Sequence, residues 1–211
     1  MGRRRLVAFD LDGTLLPGTS ISLILADRLG HRAMMDALVA RYARGEIGND
    51  VVATESAASF AGVPLSDIAL ALSDAPFIPG IVATLDALRS EGIVPILATV
   101  TWRFAARVVA DRFGFAEASG TELGEADGYP TGIVTRHFNG EDKAAFVRAA
   151  AAARGIALAD CAAVGDSRSD LAMFAIVGRS IAFNGTPDVV AAASVSLRAG
   201  DLRDVLPHLM D

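Results

Sequence analysis

The stretch LVAFDLDGT, Leu6 to Thr14, decides how this chain is to be read. Leu6–Leu11 is an apolar run without alternation, the pattern of a strand covered on both faces in a parallel sheet. Yet Asp10 and Asp12 stand at its end. Residues two apart on a strand share a face, so both carboxylates can point into one site. Two close carboxylates repel, and one takes up a proton unless a cation lies between them. Hard oxygen donors of this kind suit Mg²⁺. A turn capped by aspartates is the alternative use of the same residues.

Outward from this stretch, strand-like runs recur at Ile93–Ala98, Cys161–Val164, Ser180–Phe183 and Val195–Leu197. Helical patterns lie between them at Pro79–Ser90, Trp102–Phe113, Asp142–Arg154, Ser169–Ile176, Pro187–Ala193 and Leu202–Leu209. Strand, helix, strand in series predicts an α/β fold, a Rossmann-like parallel sheet with right-handed crossovers. Two segments break the rhythm. The first, after the opening strand, holds helical patterns and no strand, so residues 18–76 are expected to form an inserted helical cap. Phe60, Val51 and Val52 are expected in its core. Residues 1–17 and 77–211 then make the α/β core. The second, Thr121 to His137, carries Asp127-Gly128 between two short runs and predicts a β-hairpin flap.

A second acidic cluster, GDSRSD, places Asp166 and Asp170 after the Cys161–Val164 run. If that strand neighbours the first, four carboxylates converge, and a divalent cation is the simplest remedy. Alternatively, Ser167 or Asp166 caps a helix and Asp170 is a first-turn residue favoured by its dipole. Thr99 ends the second strand run, where a hydroxyl and the backbone N–H groups beyond it can hold an anion. Lys143 opens a helix, where it opposes the dipole. A bound phosphate and a carboxylate would favour it there.

Composition narrows the partners. The chain has 211 residues, 52% of them hydrophobic, which is enough for a substantial core. Its net charge of −6 argues against nucleic acid or anionic membrane. Arg3-Arg4-Arg5, the one basic run, reads as a solvated lead-in. The single cysteine, Cys161, forms no internal disulfide and fits a reducing, cytoplasmic setting. His31, His137 and His208 make no zinc spacing. The N-terminal apolar run is too short for a signal peptide, and no window suits a spanning helix.

As a set, DLDGT, the strand-end Thr99, Lys143 and GDSRSD resemble the haloacid dehalogenase superfamily, in its phosphoserine-phosphatase-like branch. The resemblance runs from about Leu6 to the C-terminus. It implies that Asp10 is the nucleophile and forms an aspartyl-phosphate. Asp12 would be the general acid, then the base. Mg²⁺ would be held by Asp10, the backbone carbonyl of Asp12 and Asp166, with Asp170 supporting from behind. Thr99 and Lys143 would grip the phosphoryl oxygens. Asp12 also favours phosphate chemistry over dehalogenation, because a halide leaving group needs no proton.

The chain departs from that branch on the substrate side. Thr19 and Thr54 fall where the branch carries a glutamate for the substrate amine and an arginine for its carboxylate. Each such anchor is worth about 1.5–3 kcal/mol. Glu46 or Glu55 could compensate. Val100-Thr101 replaces two glycines. Trp102 is expected to pack under the cap, and Arg103 to lie on the surface or to meet a second anionic group. The expectation is a Mg²⁺-dependent phosphomonoesterase of a small phosphorylated metabolite, working as a monomer or homodimer. Phosphoserine phosphatase proper, a phosphomutase and a non-catalytic binding module are the alternatives.

Overall fold

The computed structural model describes residues 5–210, so Arg3 and Arg4 of the basic run lie outside the described residues. Strand β1 (Arg5–Phe9) is buried from Leu6 onward. Val7 and Phe9 face one apolar cluster and Leu6 and Ala8 the other, so the strand is covered on both sides. It stops before Leu11 because the chain turns there: the Leu11 carbonyl accepts from the N–H groups of Leu15 and Leu16.

Four helices follow: α1 (Ile21–Leu29), α2 (Arg32–Ala43), α3 (Asn49–Ala57) and α4 (Leu65–Ser73). Ser20 starts α1, its hydroxyl accepting from the Leu23 N–H at 3.2 Å. The apolar faces of these helices are continuous with the sheet's own core. Leu25, Phe60, Ile68 and Leu72 belong to the same cluster as Phe9, Leu85 and Trp102.

The chain then returns through α5 (Ile81–Ser90), β2 (Ile93–Leu97) and α6 (Arg103–Phe113). The hairpin of β3 (Glu122–Ala126) and β4 (Tyr129–Arg136) comes next. Asp127 and Gly128 both have positive φ, 53° and 82°, as a two-residue hairpin turn requires. The hairpin leans on the helical segment, where the Gly62 N–H donates to the Pro130 carbonyl at 2.9 Å.

The remainder is α7 (Gly140–Ala153), β5 (Cys161–Gly165), α8 (Leu171–Phe174), β6 (Arg179–Phe183), α9 (Pro187–Ala192), β7 (Val195–Leu197) and α10 (Leu206–Leu209). The helix expected over Ser169–Ile176 opens instead as a 3₁₀ turn, Arg168–Asp170. The cause is local, because the Asp170 carboxylate folds back onto the preceding N–H groups.

The five-stranded sheet has the order β2-β1-β5-β6-β7 and is parallel throughout. The chain leaves β1 toward one neighbour, β2, and later crosses back to the other, β5. The carboxyl end of β1 therefore sits between the ends of β2 and β5, where open α/β sheets gather their ligands. No single helix among the described residues is long and apolar enough to cross a membrane.

Candidate active site

Strand pairing assembles the site. The Asp10 N–H donates to the Val164 carbonyl at 2.9 Å, which sets Asp10 beside the end of β5. On the other flank the Ala98 N–H donates to the Phe9 carbonyl at 2.8 Å, which brings Thr99 alongside. One carboxylate oxygen from each of Asp10, Asp166 and Asp170 lies within 4.8 Å of the others.

Lys143 enters from below. Its helix α7 opens with a capping box between Asn139 and Asp142, so the first turn is satisfied without it. The side chain, 0% exposed, runs into the sheet end. There its ammonium bonds Asp10 Oδ1, Asp170 Oδ1 at 2.6 Å and Ser169 Oγ at 3.2 Å. All three ammonium donors are used. The unfavourable helix position is thus offset by two buried carboxylates.

Asp170 serves on both sides. Its Oδ1 receives Lys143, and its Oδ2 accepts the N–H groups of Asp166 and Ser167 at 3.0 Å each. The capping use left open by the sequence and the charged use coexist in one carboxylate. Asp166 Oδ1 accepts from the Thr14 hydroxyl at 3.0 Å. Its Oδ2 lies so near Gly13 that a Cβ there would sit 2.2 Å away, at a φ of +89°. Only glycine fits that position.

Asp12 takes a different partner. Its Oδ1 accepts from the N–H of Ile21, the first residue of α1, at 2.7 Å. The carboxylate therefore rests on the positive end of a helix from the inserted segment.

Four carboxylates face one ammonium here, leaving three negative charges uncompensated if all are ionised. Burial, then the neighbouring Asp170 carboxylate, pushes Asp10 well above the usual range, more than Lys143 pulls it down. Burial likewise pushes Asp12 up to about 6, against the Ile21 bond. Asp166 is raised to about 6 by burial and by Asp170. Burial works to lower Lys143, but Asp10 and Asp170 outweigh it and hold the ammonium above its ordinary range. A surplus of buried oxygen donors with raised affinity for positive charge fits a hard divalent cation.

A stability prediction follows from these values. Asp12 and Asp166 bind protons more tightly in the folded state than in the unfolded one. Their protonated forms stabilise the metal-free protein at low pH, and that contribution is lost as pH rises through about 6. In EDTA, Tm is expected to fall as pH is raised from 5 to 7.5. Millimolar Mg²⁺ should recover most of the loss at the upper pH. Differential scanning fluorimetry reads both, and a Tm that rises over this pH range in EDTA would refute the charge balance described.

A cavity of about 680 Å³ opens over the cluster. Asp10, Asp12, Thr99 and Asp166 form its floor. Thr99 is buried, and its Oγ1 accepts from the Thr101 N–H at 3.2 Å. Thr101 lines the same wall, and its buried hydroxyl faces the Asp12 carboxylate, whose charged form it favours. The sequence marks Thr101 only as half of the pair that replaces two glycines, and it does not point to Asn49 or Arg168, which also line the cavity. Position two beyond Thr99 was the available signal for Thr101. Asn49 and Arg168 gave none, since they reach the site through tertiary packing.

Of the substrate-side candidates, Thr19 lines the cavity and the other three do not. Thr54 is exposed, its hydroxyl donating to the Asp50 carbonyl of its own helix at 2.8 Å. Trp102 is buried edge-on against Phe60 at 5.2 Å and stacked on Phe104 at 6.1 Å. Arg103 lies on the surface, paired with Glu122 at 2.6 Å. Glu46 and Glu55 pair with Arg44 and Arg41 and stay outside the cavity. Val52, expected in the core of the helical segment, turns toward the cavity instead. It shares a face of α3 with Asn49, three residues earlier.

Comparison with known proteins places this geometry in context. Residues 7–175 match the family model of haloacid dehalogenase-like hydrolases. A phosphoserine phosphatase of Idiomarina loihiensis is 31% identical over 95% of this chain and 91% of its own length. Phosphoserine phosphatase SerB2 of Mycobacterium tuberculosis is 29% identical over 96% of this chain, which spans about 50% of that relative. Among solved structures, a substrate-bound phosphoserine phosphatase superposes with a TM-score of 0.86 at 22% identity. That superposition covers 99% of this chain and 100% of the other, and it carries the fold.

Proposed function

Since the chain belongs to the haloacid dehalogenase-like hydrolase family, we propose that it is a Mg²⁺-dependent phosphomonoesterase of small phosphate esters, working through a phosphoryl group carried on Asp10. The observation that carries this reading is the buried Lys143, bonded at once to Asp10 and Asp170 beside Asp166. A carboxylate so placed can approach a phosphate dianion, because fixed positive charge lies against it. In this reading residues 1–17 and 77–211 form the catalytic core and residues 18–76 the cap over it, in a cytoplasmic enzyme.

The phosphoryl group would sit between Thr99 and Lys143, which would exchange its longest bond, to Ser169 Oγ at 3.2 Å, for a phosphoryl oxygen, and the alcohol part would point toward the helices that line the cavity. Asp10 attacks phosphorus in line as the bond to the alcohol oxygen breaks, and Asp12 gives that oxygen its proton. The alcohol leaves. Asp12, now ionised, takes a proton from a water that attacks the aspartyl-phosphate, releasing inorganic phosphate and restoring Asp10. A value of about 6 for Asp12 suits both halves of this exchange near neutral pH. Asp10, Asp166 and the Asp12 carbonyl would hold Mg²⁺, which when bound supplies positive charge to the phosphoryl oxygens. Asp170 would hold Lys143 and the Asp166 loop in place rather than touch the substrate, both its oxygens being engaged.

The experiment is direct. Purified protein should release p-nitrophenol from p-nitrophenyl phosphate with Mg²⁺, and excess EDTA should reduce the rate to background. Absence of metal-dependent phosphate release across a broad panel of esters would reject the proposal.

A further inference from the structure

Opposite the acidic floor, each of three helices turns an apolar side chain into the cavity: Leu23 from α1, Val39 and Tyr42 from α2, and Val52 from α3. All four are half-buried, so each keeps a face for an occupant. The Asn49 amide beside them is engaged. Asn49 Nδ2 donates to the Phe138 carbonyl at 2.9 Å, the Val100 carbonyl at 3.2 Å and Thr121 Oγ1 at 3.5 Å. No N–H of that amide is left for a ligand.

The charged groups of the lining are either floor aspartates or exposed side chains at the rim. Among the described residues Arg168 is the one cation on the lining. Its Nη2 donates to the Tyr42 carbonyl at 3.0 Å and the Ile47 carbonyl at 3.4 Å, and its guanidinium lies 4.6 Å from the centre of the Tyr42 ring. It ties α2 to the Asp166 loop. Asp188, at the exposed rim, takes the Thr186 hydroxyl at 2.6 Å, and a pair formed there with a ligand would be screened by water. A ligand carboxylate would find no buried cation on the lining among the described residues, since Arg168 is exposed and a pair formed there would be screened by water, and it would face three floor aspartates. A ligand ammonium set against the apolar side chains would lose hydration without a charged partner at that wall.

We propose that the alcohol part of the substrate is uncharged and apolar, and that the wall of Leu23, Val39, Tyr42 and Val52 selects it over zwitterionic alcohols such as serine. The inference rests on the hydrolytic reading above but concerns the other end of the cavity. Apolar surface buried against these side chains favours the ester, whereas a zwitterion keeps both charges unpaired.

O-phospho-L-serine and isobutyl phosphate make a matched pair, with methyl groups in place of the ammonium and the carboxylate. Binding is measured by calorimetry with Mg²⁺ on Asp10→Asn, which takes ligand without turnover. Isobutyl phosphate is expected to bind at least about tenfold more tightly. Equal or tighter binding of phosphoserine, or no binding of either ester at millimolar concentration, would overturn the proposal.

Leu23→Asn in the same background should weaken isobutyl phosphate about threefold or more and leave inorganic phosphate unchanged. Val39→Thr, which keeps its volume, answers the same question if Leu23→Asn does not fold. Loss of both ligands in parallel, or of neither, would also overturn it. Turnover of p-nitrophenyl phosphate by the unaltered protein is read separately. Failure of that assay rejects the hydrolytic reading and leaves the binding result to decide the specificity.

Discussion

Asp10→Asn should lower kcat for p-nitrophenyl phosphate by about 10⁴-fold or more, the scale on which loss of a nucleophile acts. The same change should leave the metal-free protein as stable as before, or more so. Asp10 is held well above the usual carboxylate range by burial and by Asp170, so its charge is disfavoured in the folded state even beside Lys143. An amide of the same shape removes that charge. The contrast between lost turnover and undiminished Tm in EDTA is the informative result. A Tm lowered by several degrees would mean that the Asp10 charge stabilises the fold, against the balance described here.

Lys143→Met is expected to fail on both counts. Its ammonium is 0% exposed and bonds two carboxylates. Breaking a buried ion pair by removing one partner costs about 3–5 kcal/mol, because the other charge is left unpaired. In a chain of this size that lowers Tm by about 10 °C. Turnover should fall to background, because Lys143 is the cation bonded directly to Asp10, and without it that carboxylate meets the phosphate with less compensating charge.

The pH dependence gives the cause away. Lys143 stays charged throughout the neutral range, since its neighbours hold it above its ordinary value. Its contribution in the unaltered protein is therefore constant from about pH 5 to 9. In the variant, the stranded carboxylates take up protons as pH falls, so the Tm deficit should be smaller at pH 5 than at pH 8. A deficit that does not change with pH would point to lost packing instead. Lys143→Arg should not restore turnover, since the larger guanidinium has no room in a fully buried slot.

Much of this site was written in short local patterns. An apolar run ending in Asp10 and Asp12, another ending in Gly165-Asp166, and a hydroxyl at Thr99 mark three strand ends. In a parallel sheet, three neighbouring strand ends are one place. Asp127-Gly128 announced its hairpin because only a few residues tolerate positive φ. The 3₁₀ opening at Arg168 was not legible, because it depends on where the Asp170 carboxylate turns.

The substrate wall was hidden for a related reason. Thr19 lines the cavity as its position along the chain suggests, but Thr54 lies on a helix, where a single turn decides which side chain meets a cavity. Thr54 faces outward from α3, while Val52 and Asn49 face in. Trp102 and Arg103 followed the same logic, one buried under Phe60 and the other paired at the surface.

The sequence by itself determined the fold class, the family resemblance and the acidic centre, since these rest on patterns a few residues long whose geometry the backbone enforces. Tertiary structure decided what the cavity presents to the alcohol. Leu23, Val39, Tyr42 and Val52 lie on three separate helices, and nothing along the chain indicates that their exposed faces converge. It also decided the use of Arg168 and Asn49, whose polar groups are consumed by carbonyls more than 50 residues away. Hydrogen bonding is satisfied by proximity in space, and that proximity exists only once the helices have docked on the sheet.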